Sequence, residues 1–141
     1  MADTYTRILV HCVFSTKARQ ALISEPQKLW TYLRGIACNR GVDILAIGGT
    51  SNHVHALVAL SSSLTMAQLV RDLKANSSRH LNEKVRGFAW QDGYGAISVS
   101  PSQVEIVRRY IEMQEVHHSK RNFESEYVAM LDKSGLAHSA Q

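Results

Sequence analysis

The hydrophobic pattern of the chain switches repeatedly between two periods. Ile8-Leu9-Val10-His11-Cys12-Val13-Phe14 is a nearly unbroken apolar run, rich in β-branched and aromatic residues, and predicts a buried strand. Leu29, Trp30, Leu33, Ile36 and Ala37 then recur at three- and four-residue spacing, which predicts a helix. Ser24 is placed as its N-cap, with Gln27 reaching back, and Gly41 ends it. Val42-Asp43-Ile44-Leu45-Ala46-Ile47 reads as a second strand closed by Gly48-Gly49. Asn52-His53-Val54-His55-Ala56-Leu57-Val58-Ala59-Leu60 follows so closely that the two runs predict a hairpin.

Thr65 and Gln68 form a second capping pair, opening a helix with Met66, Leu69, Val70, Leu73 and Leu81 on its apolar side. A loop-like stretch with Phe88, Trp90 and Tyr94 leads to a short strand, Ala96-Ile97-Ser98-Val99-Ser100, stopped by Pro101. Ser102 and Glu105 are spaced as a third capping pair, for a helix running through Tyr110 and Gln114 to about His118. A last helix is predicted from Phe123 to about Leu131, ahead of a polar tail. Strand, helix, strand, strand, helix, strand is the split βαβ arrangement. The expected fold is therefore α+β: a ferredoxin-like βαββαβ sandwich with an antiparallel sheet and C-terminal helices, one domain over residues 1–141.

Composition narrows the class without naming it. With 45% hydrophobic and 20% charged residues the chain is ordinary for a soluble globular protein. No apolar run is long enough to span a bilayer and no signal peptide is evident, so a cytoplasmic protein with no membrane partner is expected. Cys12 and Cys38 are too few and too scattered for a disulfide framework or zinc knuckle, and both are expected to be buried and reduced. The net charge of +4 comes from clusters that include Lys17-Ala18-Arg19 and the segments around Lys74 and Arg79. Any one cluster reads first as a solvated face; together they suit a phosphate-binding rim.

The chemistry begins at His53-Val54-His55. Residues two apart on a strand share a face, so both imidazoles leave one side while Val54 and Ala56 face the other. Neighbouring neutral histidines are a common start of a divalent-metal site, although structural packing explains many such pairs. On the third helix, Tyr110 and Gln114 are four apart and share a face. Gln114 offers a neutral oxygen ligand of the kind hard cations accept, and Tyr110 a hydroxyl able to attack phosphorus. No side chain stands out as a strong general base for water, which favours tyrosine as the attacking group. Tyr5, Tyr94 and Tyr127 lack a glutamine four residues later. His11, on an apolar strand, reads as a satisfied core histidine.

His53-Val54-His55, followed by Tyr110-Ile111-Glu112-Met113-Gln114 and His117-His118, resembles the single-tyrosine HUH transposases of small insertion sequences and their REP-associated relatives. Val13-Phe14-Ser15-Thr16-Lys17, Lys74-Ala75-Asn76-Ser77-Ser78-Arg79, the segment from Trp90 to Ser100 and Phe123-Glu124-Ser125-Glu126-Tyr127 extend the likeness over most of the chain. The resemblance implies that His53, His55 and Gln114 hold Mg²⁺ or Mn²⁺ and that Tyr110 is the nucleophile. It implies nicking and strand transfer on single-stranded, hairpin-bearing DNA through a 5′-phosphotyrosine link, by a homodimer. Thr50-Ser51-Asn52 departs from the Met-Pro-Asp or Met-Pro-Asn of many members, and Ile97 replaces a common Phe; neither is expected to touch a catalytic atom.

Expected DNA contacts are Lys17, Arg19, Lys74 and Arg79 on phosphates, Trp90 on an unpaired base, and His117 and His118 at the helix end. A domesticated REP-associated protein or a DNA-binding regulator without catalysis is the alternative within the fold. A histidine-triad nucleotide hydrolase would want a third histidine where this chain has Leu57.

Overall fold

The computed structural model describes residues 3–118 and 121–136, with side chains described for 3–116 and 121–136. In chain order the elements are β1 (Ile8–Ser15), α1 (Pro26–Asn39), β2 (Asp43–Gly49), β3 (His53–Leu60), α2 (Met66–Asn82), β4 (Gly95–Ser98), α3 (Val104–Glu112), α4 (Gln114–His118) and α5 (Phe123–Lys133). The strands lie in the order β2-β3-β1-β4, every neighbouring pair antiparallel, which is the ferredoxin-like sheet.

Strand alternation gives the sheet two different faces. Val10, Cys12 and Phe14 of β1 and Val54, Ala56 and Val58 of β3 point one way, into the main core with Leu29, Trp30 and Leu33 of α1 and Leu69, Val70 and Leu73 of α2. The opposite face carries a smaller cluster, Ala46, Leu57 and Ile111, with Val104, Val107 and Tyr110 of α3 against it. His53 and His55 open onto this second face. They lie opposite Ser15 and Val13 of β1, and opposed residues of an antiparallel pair share a face.

Gly48 sets how closely α3 approaches: a Cβ there would collide with the Ile111 carbonyl, so only glycine lets the α3 backbone rest on β2. The same residue pairs with His55 in the β2–β3 register. The helix carrying Tyr110 is thereby held over the histidines.

Several expected termini differ. The helix α1 is capped by Glu25 with no side-chain hydrogen bond, and Pro26 occupies its first turn, so Ser24 and Gln27 form no capping pair. Proline is at home there because the first-turn N–H needs no partner. Thr65 and Gln68 do make a reciprocal capping box on α2. Ser102 lies within a 3-10 turn, Pro101–Gln103, and Gln103 is the N-cap of α3 without a side-chain bond. The predicted long third helix is broken at Met113, whose φ of −103° and ψ of 23° leave helical geometry; Gln114 starts the separate helix α4. Cys12 is buried, its thiol pushed up to about 12 by burial, whereas Cys38 is exposed rather than buried.

Candidate active site

His53, His55 and Gln114 are almost completely buried, at 0%, 1% and 1% exposure, and Glu126 is at 5%. Such groups are stable in an interior only when their polar atoms are engaged. His53 is held from behind: its Nδ1 meets Asn52 Oδ1 at 2.9 Å and Thr50 Oγ1 at 3.1 Å. The Asn52 amide is oriented by its Nδ2, which donates to the Arg19 carbonyl at 3.3 Å. Asn52 Oδ1 is thus the acceptor for an Nδ1–H, and His53 Nε2 keeps its lone pair. That lone pair faces Gln114 Oε1 at 3.0 Å. Gln114 Nε2 donates to the Tyr110 carbonyl at 3.3 Å, which turns the amide oxygen toward the histidine. A lone pair and an amide oxygen pointed at each other across a buried pocket fit a shared cation.

His55 is held at both nitrogens. Nδ1 lies 2.8 Å from His11 Nε2, and Nε2 lies 2.9 Å from Glu126 Oε1. Burial first, and then the neighbouring His55, bring His11 down to about 3, so it stays neutral and serves as a hydrogen-bonding partner behind His55. His11 is therefore more than a core histidine: it aims one of the pair. Atoms of His53, His55 and Glu126 able to bind a metal all lie within 4.8 Å of one another, so this buried group could hold an ion.

The Tyr110 hydroxyl donates to Glu126 Oε2 at 2.5 Å. Burial, followed by this hydrogen bond and the carboxylate charge, pushes its pKa well above the ordinary phenol value, so the hydroxyl holds its proton more tightly. A phenol becomes a better nucleophile as it loses its proton. In this arrangement Tyr110 is held as a donor on Glu126, with positive charge the obvious means of shifting it. The sequence singled out no general base for water; the structure adds a carboxylate, Glu126, beside the tyrosine hydroxyl.

Glu126 was the residue missed. It lies in the Phe123–Tyr127 segment that carries the family likeness but was given no role there, because acidic residues in the first turn of a helix usually read as solvated charge. The signal lay in spacing: Phe123, Tyr127, Met130 and Leu131 form the apolar stripe of α5, and Glu126 is within it. Phe123 also packs on the site, stacked on the His53 ring with centroids 4.2 Å apart. Thr50 and Asn52, expected to be remote from catalytic atoms, in fact orient His53 directly.

The expected DNA contacts separate. Lys17 is exposed and Arg19 partly so, in a 3-10 turn just beyond the end of β1. Ala18 and Arg19 both have a φ of 54°, a left-handed backbone that costs a non-glycine residue about 1–2 kcal/mol. Lys74 is engaged within the chain: its ammonium donates to the carbonyls of Gln91 at 2.8 Å and Gly93 at 2.6 Å and lies over the Phe14 ring, pinning the loop before β4. Partial burial lowers its pKa. Trp90 is buried rather than presented to a base, donating to Ser77 Oγ at 3.0 Å and packing edge-on to Phe14 and Phe88. Arg79 is exposed and donates to Asn76 Oδ1 at 2.5 Å, on the α1–α2 side of the sheet. The side chains of His117 and His118 lie outside the described residues.

Residues 4–114 match the family described as IS200-like transposases, and the chain belongs to that family. Among curated relatives it is similar to the ISDra2 transposase TnpA of Deinococcus radiodurans, 29% identical over 114 residues, covering 74% of this chain and 81% of the relative. The fold is similar to a crystal structure of a candidate transposase from Deinococcus radiodurans, with a TM-score of 0.63 and 23% identity, covering 81% and 96% of the two chains. It is also similar to the structure of a REP-associated tyrosine transposase bound to a REP hairpin, with a TM-score of 0.65, 15% identity and coverage of 84% and 73%. No helix among the described residues is long and apolar enough to cross a membrane.

Proposed function

We propose that this transposase cuts and rejoins single-stranded, hairpin-bearing DNA, with Tyr110 as the nucleophile and a divalent cation held by His53, His55 and Gln114. The observation that carries the reading is the convergence of four separated segments, β3, α3, α4 and α5, on one buried pocket. His53 and His55 would bind through Nε2 and Gln114 through Oε1, with a Glu126 oxygen completing a mixed nitrogen and oxygen set suited to Mg²⁺ or Mn²⁺. When bound, the ion supplies positive charge that polarises a phosphate oxygen.

The chain's own groups do the rest. Tyr110 Oη forms a bond to phosphorus as the bond to the 3′ oxygen breaks; the phenolic proton passes to Glu126 Oε2 and from there to the departing 3′ oxygen. The products are a 5′-phosphotyrosine on the chain and a free 3′-hydroxyl. Return attack by that hydroxyl, or by another, reseals the strand without an external energy source, because one phosphodiester replaces another. Exposed Lys17 and partly exposed Arg19, just beyond the end of β1, belong to the basic surface proposed to meet the strand, with Arg79 a further phosphate contact on the α1–α2 side, and a cytoplasmic homodimer is the proposed acting form.

The test is incubation of the protein with end-labelled single-stranded hairpin DNA and Mn²⁺. A protein–DNA adduct that survives denaturation is expected, dependent on metal and lost in Tyr110→Phe. An adduct that forms equally in Tyr110→Phe removes the nucleophile assignment, and normal cutting by His53→Ala removes the metal site.

A further inference from the structure

We propose that Arg19 is the residue that grips a backbone phosphate of the DNA strand beside the scissile one; this rests on the strand-cutting reading above. Arg19 combines a ring contact beside the site with a buried, unpartnered nitrogen. Its guanidinium lies over the Phe123 ring, 5.6 Å from the centroid, and Phe123 in turn stacks on His53. One row of planar groups therefore runs from the proposed metal ligand out to Arg19. Its Nε is buried with no hydrogen-bond partner, and among the described residues no ion pair forms to Arg19. A buried, unengaged donor on a permanently charged group is unfavourable unless something binds there.

The backbone is built to hold the side chain in place. Ala18 and Arg19 are kept left-handed by bonds from every side. Ala18 N donates to Gln91 Oε1, Arg19 N to the Thr16 carbonyl, and Asn52 Nδ2 to the Arg19 carbonyl. Asn52 is also the residue that orients His53, so one amide fixes both the proposed ligand and the arginine turn. Strained backbone that neighbours over-determine is typical of ligand-clamping positions. The chemistry that suits a guanidinium held there is an anionic oxygen pair, which the fork binds with two parallel hydrogen bonds. In a DNA-cutting protein, that is the phosphate of the strand.

The experiment measures DNA binding in proteins carrying Tyr110→Phe, which leaves the strand uncut, with and without Arg19→Gln. The strands form a panel in which one phosphate at a time near the cut is replaced by a neutral methylphosphonate. Neutralising one particular phosphate is expected to weaken the Arg19 protein about tenfold and to leave the Arg19→Gln protein unchanged. Arg19→Gln is also expected to reduce the salt dependence by about 0.7 in log–log slope, one contact to a single strand. Equal losses in both proteins at every position, or an unchanged slope and affinity, overturn the proposal.

Melting and circular dichroism check that Arg19→Gln is folded. Should it not fold, Arg19→Lys decides: it is expected to bind more weakly while still responding to the same phosphate, and a uniform loss on all strands overturns the assignment. Where the unaltered chain forms the tyrosine adduct and the phosphate panel shows no Arg19 dependence, the Arg19 proposal falls alone. Where it forms no adduct with any hairpin strand, the functional reading falls and takes this one with it.

Discussion

His55 shows how much of this site depends on groups behind the ligands. It is set between His11 and Glu126, one partner on each ring nitrogen, and His53 is set in the same way by Asn52 and Gln114. His11 is held neutral down to about pH 3 by burial. In the unfolded chain an ordinary histidine protonates near pH 6.5, so between those values the unfolded state binds the extra proton and stability falls as pH falls. Replacing His11 with Gln should therefore flatten the acid side of the stability profile, by up to about 1.4 kcal/mol per pH unit within that window. Chemical denaturation at pH 7, 6 and 5 checks it; parallel profiles for the two proteins would contradict the assignment. At this scale His53, His55, Tyr110 and Gln114 were legible because strands repeat every two residues and helices every four. Glu126 and Asn52 were not, since one reads as surface charge and the other as a turn residue until the fold brings them to the histidines.

Among the elements, the contact between β2 and α3 is the one on which the site's geometry rests. Gly48→Ala would push the Ile111 carbonyl, and with it the Tyr110 helix, away from the sheet. An overpacking cost of about 1–3 kcal/mol is expected, together with slower adduct formation. Thr65→Ala offers the contrast. It removes the capping box of α2, costing about 1 kcal/mol, but α2 packs on the other face of the sheet. Melting temperature should fall in both variants while strand cutting falls only in Gly48→Ala; equal cutting in the two would detach the β2–α3 contact from function. Element order and type were readable from periodicity alone. The break at Met113 was not, because Tyr110 and Gln114 keep the spacing of one continuous helix although Gln114 begins a second.

For the whole molecule, the sheet divides the labour between its faces. One carries the large apolar core with α1 and α2, and the other carries the small cluster and the polar pocket under α3, α4 and α5. This two-sidedness lets a mostly apolar strand such as β3 bury two imidazoles without breaking the main core. The net charge of +4 is modest, so binding of single-stranded DNA should weaken linearly in log–log form with salt, by about 0.7 per phosphate contacted. Salt-independent binding would contradict a phosphate-tracking surface. The α+β class and the ferredoxin-like fold followed from the alternation of elements, whereas the closing of the pocket by α5 is a tertiary event, signalled locally only by an acidic residue within an apolar stripe.

Everything proposed for this site turns on Tyr110 becoming joined to DNA. Protease digestion of the metal-dependent adduct, followed by mass spectrometry of the nucleotide-bearing peptide, tests it most directly. A phosphotyrosyl nucleotide on Tyr110 is expected; the same modification on Tyr94 or Tyr127, or on no tyrosine, removes Tyr110 as the nucleophile.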